Sequence, residues 1–115
     1  MFTPTSTDPA DQFVEILSFY EGKTLIVCID VNGGLSTEFV IPKMLVATSE
    51  IEEFSNFFEI QSDSTGDQPS MSLQKDRVVN IKRITHADDD EVVWKKAAFE
   101  IKYIDGIVIT VYVLD

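Results

Sequence analysis

Asp105-Gly106 sits between two apolar runs, and that juncture constrains the chain more than any other feature. Asp-Gly suits a type I′ turn, whose two central residues need positive φ, and such turns join antiparallel strands. Before it, Val93, Ala97, Phe99, Ile101 and Tyr103 alternate with polar Lys96, Glu100 and Lys102. That is the period-2 pattern of a strand with one face buried. Lys95 breaks the inward row at the strand's start. After the turn, Ile107 to Leu114 is apolar on both faces, which predicts a central strand or one covered on both sides.

A second hairpin signal lies upstream. Thr24 to Val31 is rich in β-branched residues, Asn32-Gly33-Gly34 follows, and Leu35 to Ile41 returns before Pro42 removes a ladder donor. Met44 to Ala47 and Arg77 to Ile84 read as further strands. Two segments read as helices. Asp8 can cap free amides and Pro9 fits a first helical position. Phe13, Ile16, Leu17 and Tyr20 then lie on one face, and Gly22 supplies a stop, so a helix is expected at about 9–20. Ser49 and Glu52 match a capping box. Ile51, Phe54 and Phe58 follow at helical spacing, which predicts a second helix ending near Glu59 or Ile60. Two short helices and about five strands joined mostly by hairpins indicate an α+β fold with an antiparallel sheet. A small helix-decorated β-barrel is the alternative.

At 115 residues the chain suits one core. Residues 1–7 read as a flexible polar tail and 8–115 as a single domain. Its longest loop is expected at 61–74, with Met71 and Leu73 marking re-entry to the fold. The single cysteine, Cys28, precludes an internal disulfide and favours a reducing, cytoplasmic setting. Neither a secretory leader nor a membrane-spanning run is expected from these residues.

The charge is lopsided. The formal net charge is −11 and the pI about 4.3. Residues 1–74 carry twelve acids against only Lys23 and Lys43, whereas residues 75–115 are nearly balanced. This disfavours direct contact with nucleic acid or an anionic membrane, both of which demand cationic side chains. The densest acidic block holds Glu50, Glu52, Glu53, Glu59, Asp63 and Asp67 with no base among them. On a helix, Glu52, Glu53 and Glu59 would face solvent. A solvated face is the plain interpretation. The functional one is a surface for a basic protein or an Arg/Lys-rich segment, drawn in by long-range attraction.

Conventional chemistry finds little support. His86 stands with Asp88, Asp89, Asp90 and Glu91, but a second imidazole or thiolate is missing and the calcium-loop spacing is absent. A Cys28–His86 dyad is possible by composition, yet Cys28, mid-strand between Val27 and Ile29, reads as an inert core cysteine. The glycines match no phosphate-binding loop. Arg77, Lys82 and Arg83, with Lys75 before them, form the basic cluster, which serves to pair the chain's own acids or to hold a small anion. Trp94 and Tyr112, near the C-terminal hairpin, are an alternative interface.

The expectation is therefore a non-enzymatic acidic interaction module, of the inhibitor, immunity or nucleic-acid-mimicking kind. It would bind a basic partner with no metal or cofactor. A self-assembling structural or adaptor subunit built on the apolar C-terminal strand is the second expectation. A small ligand-binding domain or enzyme is the third.

Overall fold

The computed structural model describes residues 7–49, 51–63, 68–84 and 95–114. Its helix α1, Pro9–Phe19, starts as the sequence predicts. The Asp8 carboxylate accepts the Asp11 N–H at 3.1 Å, and Pro9 opens the first turn. Ala10, Phe13, Ile16 and Leu17 form its buried face.

Eight strands follow: β1 Thr24–Val31, β2 Leu35–Ile41, β3 Met44–Thr48, β4 Phe57–Ser62, β5 Met71–Gln74, β6 Val78–Arg83, β7 Lys95–Tyr103 and β8 Ile107–Leu114. They form two open antiparallel sheets, one ordered β2-β1-β8-β7-β6 and the other β3-β4-β5. The fold is α+β. The sheets do not close, so the barrel alternative is set aside.

Both hairpin turns form where their residues demand. Asn32 and Gly33 have φ of 44° and 77°, and Asp105 and Gly106 have 63° and 74°. Val31 pairs with Ile107, so the two turns meet at one end of the sheet. A Cβ on Gly106 would lie 3.1 Å from Asn32 Oδ1, whereas one on Gly33 would meet nothing within 4 Å. Gly106→Ala therefore adds a steric conflict to the cost of a left-handed backbone, for a loss of about 1–2 kcal/mol. Gly33→Ala bears the backbone cost alone. Urea unfolding should show a lower midpoint for Gly106→Ala than for Gly33→Ala, at unchanged slope.

β8 is the central strand of the first sheet, as its doubly apolar composition predicts. Its inward row, Ile109, Val111 and Val113, is flanked by Ile29, Val27 and Leu25 of β1 and by Ile101 and Phe99 of β7. The second sheet turns Met44, Phe58, Ile60, Met71 and Leu73 toward the same core, and α1 completes it. The Phe13 and Phe58 rings meet edge-to-face with centroids 5.8 Å apart. One apolar cluster thus joins the helix and both sheets.

The second helix is not formed. Residues Glu52–Phe54 make one 3-10 turn, and β4 begins at Phe57. Ile51 and Phe54 are exposed while Phe58 is buried, so the apparent helical stripe does not share a face. From Phe57 onward the pattern is period 2: Phe58 and Ile60 point inward, whereas Phe57, Glu59 and Gln61 point outward. Burying Phe58 against Phe13, with Ile60 in the same core, outweighs the local capping preference. The expected loop at 61–74 also shrinks, because β4 runs to Ser62 and β5 starts at Met71. The expected tail, except Thr7, and the acidic turn with His86 and Asp88 to Glu91 lie outside the described residues.

Candidate interaction surface

The segment that replaces the second helix shapes the outer face of the smaller sheet. Ser49 Oγ accepts the Ile51 N–H at 3.1 Å, so its hydroxyl serves a turn rather than a helix start. The Phe54 N–H then donates to the Ile51 carbonyl at 2.9 Å. Asn56 anchors the far side. Its Nδ2 donates to Asp76 Oδ1 at 2.9 Å, and its Oδ1 accepts the Asp76 N–H at 3.1 Å. Held at both ends, the turn presents Ile51, Phe54 and Phe57 to solvent, at 60%, 52% and 39% exposure.

Next to these aromatics runs an open groove of about 200 Å³. Across its floor the strand register aligns Ala47, Glu59 and Ser72. The two small neighbours leave the Glu59 carboxylate accessible between them. Phe57 lies two residues before Glu59 on the same face, about 7 Å along the strand, and Phe54 forms the other aromatic wall. The chain from Met44 to Gln74 contains no lysine or arginine, so the strands and turn that build the groove supply no cation of their own. The nearest bases in sequence are Lys43 and Lys75, and the Lys75 N–H donates to the Asn56 carbonyl at 2.6 Å. An apolar wall beside an acceptor suits a long cation. An arginine can lay its guanidinium on a phenyl ring while its fork meets a carboxylate, and a lysine can lay its stem there.

The six acidic residues singled out by sequence are not gathered on one helical face. Glu52 and Glu53 lie in the 3-10 turn, with Glu53 exposed. Glu59 is half-buried on the outer face of β4. Asp63 lies past the other end of that strand, exposed, and its N–H donates to the Lys43 carbonyl at 2.9 Å. Glu50 and Asp67 lie outside the described residues. Among the described residues, Glu59 alone of the six lines the groove. Glu53 stands in the 3-10 turn next to Phe54, and Asp63 lies past the far end of β4. Phe54 and Phe57 are the residues that the helical reading missed. The alternation from Phe57 to Gln61 was the available signal.

The alternative interface divides as well. Trp94 lies outside the described residues. Tyr112 stands on the outer face of the larger sheet, away from the groove. Its phenol is pushed up, first by burial and then by the nearby Cys28, Glu38 and Asp30. Cys28 is on this outer face too, half-buried rather than in the core, and its thiol donates to Glu38 at 3.5 Å. Both edges of β8 are paired, to β1 and β7, so the C-terminal strand offers a partner no edge. The basic cluster is dispersed. Arg77 is exposed in a 3-10 turn, Lys82 faces outward beside Glu100, and Arg83 pairs across the strand with Phe99.

No family model, curated protein or solved structure matches the chain. Among the described residues there is no cluster of metal-ligating side chains, and no helix is long and apolar enough to cross a membrane.

Proposed function

We propose that the chain is a non-enzymatic interaction module that receives an Arg- or Lys-bearing segment of a basic partner protein in the Phe54–Phe57–Glu59 groove. An inhibitor or immunity-type protein works in this way, covering a cationic surface on its target. The observation that carries the proposal is the coincidence of the exposed aromatics Phe54 and Phe57 with the Glu59 carboxylate along one groove of the smaller sheet. Aromatic side chains supply anchoring area, and flanking charge supplies direction and encounter rate. The groove is smaller than the roughly 300–1,000 Å³ of a typical small-molecule site, so a side chain is a better occupant than a free metabolite. The single free cysteine favours a reducing, cytoplasmic setting for such a complex.

The test is an NMR titration with a short peptide carrying alternating arginine and apolar residues. Shifts should concentrate at residues 47–49, 54–59 and 72. Phe57→Ala should weaken binding about tenfold or more, as removal of an interface anchor does. Raising salt should weaken it further. Shifts confined to the Tyr112 face would reject the groove. Binding that ignores salt would reject charge as the recognition element.

A further inference from the structure

We propose that the chain forms a two-fold dimer by pairing β2 with β2 of a second copy, which joins two five-stranded sheets into one. The inference is independent of the groove, because β2 contributes nothing to it. Among the described residues the two sheets have four edge strands, β2 and β6 in the first and β3 and β5 in the second. An open edge displays backbone donors and acceptors to any passing strand, and natural proteins blunt it.

Three of the four edges are blunted here. At β3, the Gly22 N–H donates to the Met44 carbonyl at 2.8 Å and the Met44 N–H donates to the Lys23 carbonyl at 2.8 Å. The Val46 N–H donates to the Glu21 carboxylate at 3.2 Å. At β5, a strand of four residues, the Gln74 N–H donates to the Tyr103 hydroxyl at 3.1 Å. At β6 the register breaks between Val78 and Asn80, and Asn80 Oδ1 accepts the Ile81 N–H at 2.9 Å. That strand also carries Lys82 and Arg83. β2 carries one charge, Glu38, and none of the other devices. It runs seven residues in unbroken register against β1, without lysine, arginine or proline. Among the described residues, no group bonds to its outer edge. Five of its first six residues are exposed, Leu35 at 76%.

The strand is also complementary to itself. Antiparallel pairing centred on Thr37 sets Leu35 opposite Phe39 of the partner subunit and Ser36 opposite Glu38 of the partner subunit. Thr37 then meets its own copy at the axis. Leu35 and Phe39 share the inner face of the sheet, so each copy's exposed leucine gains an aromatic cover. On the other face a serine hydroxyl can donate to a carboxylate. Centring on Glu38 would instead oppose two like charges, which disfavours that register. In the preferred register the two Glu38 side chains sit diagonally, and each copy carries a net −11. The dimer is therefore opposed by repulsion that salt screens.

Sedimentation equilibrium of the full chain, from micromolar to millimolar concentration, tests this at low and high salt. A monomer–dimer equilibrium that high salt strengthens is expected, the opposite sign to groove docking. Thr37→Glu should weaken the dimer about tenfold by opposing two carboxylates at the axis, while Thr37→Val should preserve it. Glu38→Gln should tighten it. Hydrogen exchange should show amides of 35–41 gaining protection as concentration rises. A monomer at every concentration and salt would overturn the proposal. So would a dimer that folded Thr37→Glu leaves unchanged.

Discussion

Phe58→Ala should destabilise the protein by about 3–5 kcal/mol, while Phe57→Ala, one residue earlier, should cost less than about 1 kcal/mol. The two phenylalanines are chemically identical and adjacent, so the contrast reports the strand directly. Phe58 is 1% exposed and sits in the core with its ring edge on Phe13. Alanine there deletes a whole ring, leaves a cavity beneath both sheets, and forfeits an aromatic pair of about 0.5–1.5 kcal/mol. Against a total stability of roughly 5–15 kcal/mol for a domain of this kind, that loss takes up a large part of the margin. Phe57 points the other way and already keeps 39% of its surface in water. Urea unfolding of the three proteins provides the comparison, with midpoints read at constant slope. Equal losses at the two positions would mean that β4 does not alternate as described.

The same strand shows where sequence reading stops. Elements with complete local chemistry are legible almost to the residue. Asp8 and Pro9 start α1, Asn32-Gly33 joins β1 to β2, and Asp105-Gly106 joins β7 to β8, each because one backbone conformation suits those side chains. The segment from Ser49 also has real capping chemistry, since its hydroxyl does accept a backbone N–H. What decides its fate is distant: Phe13 of the helix waits for Phe58, and only a strand delivers Phe58 and Ile60 together. Sheet order is non-local in the same sense. β8 enters between β1 and β7, pairing Thr24 with Leu114 from opposite ends of the chain. Nothing near either residue announces this. The outward position of Cys28, by contrast, was readable. It shares parity with Asp30, and a strand that buries Leu25 and Val27 must turn both residues outward.

Reversing the charge in the groove and on the turn beside it should have the largest effect on recognition. Glu53→Lys combined with Glu59→Lys should leave the fold intact and lower the association rate of a basic partner about tenfold or more at low salt. Neither side chain enters the core, so stability should change little. The two changes move the protein's net charge by four units, at Glu59 on the outer sheet face and at Glu53 in the 3-10 turn that carries Phe54. At Glu59 the effect is also local, because the cross-strand neighbours that flank it are the small, uncharged Ala47 and Ser72. An incoming arginine would meet an ammonium where it needs an acceptor. The Gln variants at both positions separate the causes: they remove the charge but keep an acceptor and nearly the same shape, so their loss should be intermediate. Stopped-flow association measured at two ionic strengths gives the decisive comparison. The difference between wild type and the Lys variant should shrink as the Debye length falls from about 10 Å toward 3 Å. A rate that is unchanged at low salt would reduce Glu53 and Glu59 to solvated charges. Phe54 and Phe57 would then have to account for recognition through packing alone, and the dissociation rate of Phe57→Ala would show whether they do.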